Sequence, residues 1–285
     1  MDFQKIISDI RALDLNLYDF ALIYDGKTYY QKFGYCNNCN DSYSIAKAFT
    51  MTAIGLLWDE GKLKMSDTFV SIFPEYVTAD MDPSWKLVTL EHAMLHRAGF
   101  DRQVINLEEE DINDYPSDDF LKLIFSTHLA YLPGSTYYYA EAPFCLLSRT
   151  VEKLSGERMD DFLLPRLIRP MKFHEIAWSR DLLGHTVGST GLYISAVDAA
   201  KLGLLYLQDG VYEGQRLLSH NWVKTVLSKE YEFHVMTPKG LIGKGGWLGQ
   251  GVCFSPEKKF VAAWHGCQAG EATKKIADYL DDLEL

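Results

Sequence analysis

Strand-forming character at both ends of the chain, separated by a long helical middle, is the feature that most restricts the possible folds. Near the start, Phe20-Ala21-Leu22-Ile23-Tyr24 runs into Asp25-Gly26-Lys27 and then Thr28-Tyr29-Tyr30-Gln31-Lys32-Phe33-Gly34. Two β-rich runs about an Asp-Gly turn predict a hairpin. Near the end, Gly251-Val252-Cys253-Phe254 and Phe260-Val261-Ala262-Ala263-Trp264 flank the turn Ser255-Pro256-Glu257-Lys258. Ends that both supply strands most simply share one antiparallel sheet, with the middle inserted beside it as a second lobe. The expected class is α+β. Residues 1–43 and 190–285 form the sheet domain, and residues 44–189 the helical lobe.

The helical readings rest on spacing. Phe3, Ile6, Ile7, Ile10 and Leu13 share one face of an opening helix. A second helix is expected from Ser44 to about Leu57, with Phe49, Ala53, Leu56 and Leu57 on one side and Gly61 as its stop. Ser117-Asp118-Asp119 starts another before Phe120. Further helices follow Ser195 and run from about Ala272 to Leu283.

Composition removes several classes. The 285 residues are 47% hydrophobic and 24% charged, which fits neither a disordered tail nor a fibrous repeat. A net charge of −11 repels a phosphate backbone, so no nucleic-acid partner is expected. No apolar run approaches the ~20 residues of a membrane helix, so no membrane association is expected. The opening Met1-Asp2-Phe3-Gln4-Lys5-Ile6 lacks a basic region followed by an apolar stretch. Five cysteines in so long a chain make no disulfide scaffold. The expectation is a reduced, cytoplasmic protein.

Three motifs carry chemistry. Ser44-Ile45-Ala46-Lys47 opens a helix after a loop, so Ser and Lys at i and i+3 share a face and the ammonium can approach the hydroxyl. A serine there also sits at the positive end of the helix dipole, which favours a developing alkoxide and a neighbouring oxyanion. A confined lysine can surrender its charge and take a proton. The second motif is Pro133-Gly134-Ser135-Thr136-Tyr137-Tyr138-Tyr139-Ala140-Glu141, ahead of an apolar helix. The third is Lys244-Gly245-Gly246-Trp247 at a strand edge, where the glycines let a substrate lie against backbone and the lysine offers a cation to a carboxylate.

In this order the three motifs resemble the serine β-lactamase and penicillin-binding-protein superfamily, in its class C β-lactamase-related branch of D-Ala-D-Ala carboxypeptidases, esterases and amide hydrolases. The resemblance spans nearly the whole chain. Leu95-His96-Arg97-Ala98-Gly99 resembles the family's structural His-Thr-Ser-Gly turn, and Gly188-Ser189-Thr190-Gly191-Leu192-Tyr193-Ile194-Ser195 its glycine-rich segment.

The resemblance implies a β-lactamase/transpeptidase-like fold and a serine hydrolase without cofactor or metal. Its substrate would be a small-molecule or short-peptide ester or amide, held as a covalent acyl-enzyme. Ser44 is then the nucleophile, Lys47 removes its proton, and Tyr139 relays protons to the leaving group and to the deacylating water. Lys244 and Gly246 orient the substrate, and the backbone N–H groups of Ser44 and Trp247 form the oxyanion hole. Tyr137 and Tyr138 are expected to pack as aromatics.

The family's Tyr-x-Asn is replaced by Tyr139-Ala140-Glu141. An asparagine amide can donate to a substrate carbonyl, whereas an ionised glutamate only accepts. Glu141 either pairs with Lys47 or Lys244, or favours a substrate carrying a donor or cation. This departure argues against ordinary β-lactam turnover, and with no secretory signal expected a cytoplasmic esterase or amidase fits better. The alternative is a non-catalytic binding homologue of the same fold.

Other constellations are weaker. His92 and His96 have zinc spacing but lack a third ligand. Cys36-Asn37-Asn38-Cys39 lacks a partner pair, Glu108-Glu109-Glu110-Asp111 reads as a solvated loop, and His265-Gly266-Cys267 lies too late to replace Lys244.

Overall fold

A computed structural model describes residues 1–268 and 270–284. The chain divides into two compact units, one of Met1–Ala48, Arg169–Ala177 and Leu192–Leu285, the other of Phe49–Ile168 and Trp178–Gly191. The first boundary falls inside a helix, a few residues beyond 43, so Ser44 and Lys47 belong to the sheet unit.

The sheet unit is built on six antiparallel strands in the order Lys27–Lys32, Leu17–Tyr24, Phe260–Gly266, Gly251–Ser255, Ile242–Gly245, His234–Val235. Both ends of the chain therefore enter one sheet. The first two strands form the expected hairpin, turned by Asp25 (φ 50°) and Gly26 (φ 69°); two positive φ angles match the right-handed twist of the flanking strands.

Alternation sets the two faces of this sheet. Phe20, Leu22, Cys253, Phe260, Ala262 and Trp264 pack with Ile6, Ile7 and Ile10 of the opening helix Phe3–Ala12 and with Ile276, Ala277 and Leu280 of the closing helix Ala272–Asp282. On the other face lies the helix Ala196–Leu207, capped by the Ser195 side chain on Asp198 N–H. Its Gly203 meets Val252 and Val261 so closely that a Cβ would stand 2.7 Å from a valine methyl.

The helical unit is organised by the helix Ala46–Asp59, which runs into it from the sheet unit. Residues 46–57 are all buried, so the expected single apolar side is corrected: this helix has no solvent face before Trp58. A helix enclosed on every side needs small and apolar residues all round, which Ala, Thr, Met and Ile supply here. The helix Ala142–Ser155 is equally well buried over its first two turns. Thr50 donates its hydroxyl to Gly188 O at 2.6 Å, tying the glycine-rich segment to the enclosed helix. The expected helix start at Asp119 is present, its carboxylate accepting from Leu121 N–H. Among the described residues no helix is long and apolar enough to cross a membrane.

Gly251 is the tightest packing point of the sheet, since a Cβ there would lie 2.1 Å from the Trp264 ring. Gly251→Ala is expected to destabilise the protein by about 1–3 kcal/mol through overpacking. A lower urea midpoint at unchanged slope is the expected result, and an unchanged midpoint would refute this packing account.

Candidate active site

Ser44 stands on a short 3₁₀ turn, Tyr43–Ile45, that leads directly into the enclosed helix. The approach is fixed by pairing: Asn40–Asp41 forms a bridge with residues 193 and 194, and Ser42 N–H donates to Leu192 O at 2.8 Å. The Asp41 carboxylate accepts from Tyr43 N–H at 2.8 Å, and burial raises its pKa above the usual carboxylate value. Tyr43 is left-handed at φ 46°, uncommon for a bulky residue, and Ile45 N–H closes back on Ser42 O at 3.1 Å. Ser44 is 6% exposed and Lys47 fully buried. Lys47 Nζ donates to Ser44 Oγ at 3.1 Å, as the i, i+3 spacing anticipates.

The same unit carries the lysine-glycine motif. Lys244 lies in the strand Ile242–Gly245, opposite Val252. Its ammonium pairs at 2.6 Å with Glu232, and both side chains are buried. The carboxylate on Lys244 is thus Glu232, held in a left-handed conformation (φ 54°) just before the edge strand His234–Val235. Beyond Lys244 the chain turns sharply. Gly246 N–H donates to Gln250 O, Gln250 Oε1 accepts from Leu248 N–H, and Gln250 Nε2 donates to Gly266 O. A Cβ on Gly246 would stand 2.8 Å from Ser42 O and 2.6 Å from Gln250 Oε1, so only glycine lets this turn close on the turn that carries Ser44. The Trp247 ring, 44% exposed, meets Tyr43 edge-on at 6.3 Å.

Neither Glu232 nor Gln250 was among the residues expected from sequence. The available signal was indirect: a lysine buried in a strand requires a counter-ion.

Tyr139 and Glu141 belong to the helical unit. Tyr138 N–H donates to His96 O at 2.8 Å, and the Tyr139 ring stacks on His96 at 4.4 Å. Gln103 bridges the segment, donating to Tyr139 O at 3.2 Å and accepting from Glu141 N–H at 3.0 Å. Glu141 is buried at the start of the helix Ala142–Ser155. Tyr137 is 57% exposed and meets His96 edge-on, so its ring contact is a surface one.

His92 and His96 do not share a helix. His92 caps the helix Leu90–Met94 reciprocally with Thr89, while left-handed His96 (φ 51°) makes the turn that supports Tyr139. No group of metal-ligating side chains occurs among the described residues. Glu108 is half-buried and accepts the Thr190 hydroxyl, so only the rest of the acidic run is exposed. Cys36 and Cys39 are free thiols; burial pushes Cys39 up to about 11 and raises Cys36 as well, which disfavours the reactive thiolate. His265, set aside as a replacement for Lys244, bonds Ser42.

An antiparallel sheet drawn from both chain ends, with Ser-x-x-Lys at the mouth of a buried helix, is a β-lactamase/transpeptidase-like arrangement. The Beta-lactamase family profile matches residues 20–283, and the chain belongs to that family. It is 25% identical over 210 residues to penicillin-binding protein 4 of Amycolatopsis lactamdurans, covering 62% of this chain and 53% of that protein. The chain spans about half the length, or less, of the curated relatives it matches. Among solved structures, a Bacillus anthracis protein provisionally described as a 6-aminohexanoate-dimer hydrolase superposes with a TM-score of 0.80 at 16% identity, over 100% of this chain and 84% of that one. EstCE1, a hydrolase with promiscuous acyltransferase activity, superposes with a TM-score of 0.74 at 14% identity, over 98% of each chain. At such identities these structures establish the shared fold.

The glycine contacts distinguish neighbouring positions. At Gly245 a Cβ would meet only Thr273 side-chain atoms, the nearest at 3.2 Å, whereas at Gly246 it meets Ser42 backbone. Gly246→Ala is expected to slow fluorophosphonate labelling of Ser44 by roughly 10²-fold, the scale of a 1 Å misplacement, and Gly245→Ala far less. Equal rates in the two variants would refute the close approach as a constraint on the site.

Proposed function

We propose that this chain is a serine acyl hydrolase that cleaves esters or amides through a covalent Ser44 intermediate. The observation that carries the proposal is the 3.1 Å bond from Lys47 Nζ to Ser44 Oγ, with both groups buried at the start of a helix. As Ser44 Oγ bonds to the substrate carbonyl carbon, its proton passes to Lys47. The carbonyl oxygen gathers negative charge against the backbone N–H groups of Ser44 and Trp247, an arrangement worth ~10²–10³ in rate per donor. Tyr139 carries a proton to the departing alcohol or amine, and water then hydrolyses the acyl ester by the reverse transfers. Tyr139 takes this role from its motif, and its stacking on His96 supports it by fixing the ring.

The preferred substrate is an acyl compound without a carboxylate beside the scissile bond. What supports this is the Lys244–Glu232 pair: a cation already matched by a buried carboxylate attracts a second carboxylate weakly.

Two experiments test the reading. Intact-mass profiling with a fluorophosphonate is expected to show one adduct on the wild type, none on Ser44→Ala, and labelling of Lys47→Ala slowed by about 10²–10⁴-fold, the usual worth of a positioned base. A wild type that takes no adduct, yet is stabilised thermally by an ester or peptide ligand, is a binding homologue and not a hydrolase. Separately, p-nitrophenyl butyrate is expected to be cleaved faster than nitrocefin, which bears a carboxylate. Glu232→Gln is expected to shift that ratio toward nitrocefin by roughly tenfold, equivalent to about 1.4 kcal/mol of carboxylate binding. Faster nitrocefin cleavage by the wild type, or an unmoved ratio in Glu232→Gln, would overturn the assignment of substrate class.

A further inference from the structure

Two residues before the nucleophile, a second serine has partners of its own. Ser42 Oγ lies 3.0 Å from His265 Nε2, and His265 Nδ1 lies 3.0 Å from Asp19 Oδ1. The exposures of Asp19, Ser42 and His265 are 0%, 0% and 1%. The residue types and contacts match those of a serine-protease triad. The burial does not, because a nucleophile sealed from solvent has no access to a substrate. The group therefore calls for an account other than direct chemistry.

Asp19 and His265 are cross-strand partners on the first and last strands of the sheet, where the register shifts between Leu17 and Asp19. Such irregularities re-aim side chains next to functional sites. Here the Asp19 carboxylate takes the His265 backbone N–H at 3.1 Å as well as the ring Nδ1–H. A carboxylate only accepts, so Nδ1 carries a proton and, in the neutral ring, Nε2 accepts the Ser42 hydroxyl. Tyr30 extends the chain of bonds, its hydroxyl 3.4 Å from Asp19 Oδ2.

Ser42 occupies the N-cap position of the turn that carries Ser44, a place where a serine hydroxyl ordinarily bonds the first helical N–H groups. It makes no such bond; its shortest contact is with the imidazole, at 3.0 Å, and the carbonyl of Asn40 lies farther off, at 3.5 Å. Its backbone is meanwhile held at both ends, by Leu192 O and by Ile45 N–H, and Gly246 closes on its carbonyl. Ser42 is thus the point at which the sheet grips the nucleophile turn.

We infer that Asp19, His265 and Ser42 form a buried positioning relay, in which His265 acts through Ser42 to fix the height and orientation of Ser44 against Lys47. The inference rests on the acyl-hydrolase reading. None of the three residues touches substrate; their effect is on the geometry of attack and not on binding.

The test compares Ser42→Ala, His265→Ala, their combination, Asp19→Asn and His265→Gln with the wild type. It follows kcat and KM for p-nitrophenyl butyrate, the rate of fluorophosphonate labelling, the labelled residue, and the melting temperature. Each alanine variant is expected to lose about 10–100-fold in kcat and labelling rate, the range of a small misplacement, with KM within about twofold of wild type. The double variant is expected to fall no further than the worse single one, since the residues act as a unit. His265→Gln, whose amide can still bond Ser42, is expected to regain most of the rate. If the alanine variants fail to fold, Asp19→Asn and His265→Gln carry the comparison, because they preserve volume; Asp19→Asn is then expected to lose rate where His265→Gln does not. Variants that lose melting temperature but label at the wild-type rate would make the cluster purely structural and overturn the relay. An adduct on Ser42 would overturn it as well. A wild type without any Ser44 adduct removes the hydrolase reading and the relay together, whereas equal Ser44 labelling in every variant removes the relay alone.

Discussion

Pairing of the first strand, Leu17–Tyr24, with the last, Phe260–Gly266, is the contact on which the other features of the sheet unit depend. It joins Asp19 to His265 across 246 positions of sequence. Closing so long a loop is less costly than it looks, because the entropy lost grows only with the logarithm of loop length. The return is a sheet whose interior strands bury almost every side chain on both faces. It also fixes register, and a slip of one residue would turn each of these side chains to the opposite face. With the observed register, Lys244 and Val252 share a face with Ala263, and Asp19 and His265 lie further along that same face. The position of the chemistry is thus a consequence of which residues face each other between two strands at opposite ends of the chain.

Three buried ionisable side chains sit against an ionisable partner. Lys244 has Glu232, His265 has Asp19, and Lys201 has Asp198. An unmatched charge in such places would cost several kcal/mol, so each partner is required by the burial of the other. The surface is different: the chain carries a net charge of −11. An acidic exterior repels anionic molecules at long range, and the Lys244 cation inside is already matched. Both effects support the proposal of a substrate without a carboxylate, at two different distances.

How much was legible in the sequence follows from the range of the interactions. The Asp25-Gly26 hairpin, the Asp119 and Ser195 helix starts and the amphipathic terminal helices are fixed by residues within a few positions of each other, and they are found where periodicity and capping put them. The approach of Lys47 to Ser44 is equally local, a single turn of helix. The enclosed helix looks one-sided in sequence because periodicity reports only contrast, and a helix buried all round offers none. Glu232, Gln250, Asp19 and Ser42 carry no motif. Their importance comes from strand neighbours, from a two-residue edge strand, and from a bulge, none of which leaves a local trace. His92 and His96 have helical spacing without sharing a helix, because the helix ends at Met94 between them.

The turn that carries Ser44 shows why so few residues identify a candidate site of this kind. Tyr43 adopts a left-handed conformation that a tyrosine avoids, and residues held this way persist only where the surroundings over-determine them. Here the surroundings are explicit. Asp41 holds the Tyr43 N–H, Leu192 holds the Ser42 N–H, His265 holds the Ser42 hydroxyl, and Gly246 leaves room for the Ser42 carbonyl. Gly246 stands out in its motif because there the geometry admits a single residue type. The others supply hydrogen-bond acceptors or donors that several side chains, or any backbone group, could provide. A serine and a lysine one turn apart are therefore conspicuous in sequence, while the framework that makes their separation 3.1 Å can be assembled from residues with no signature at all.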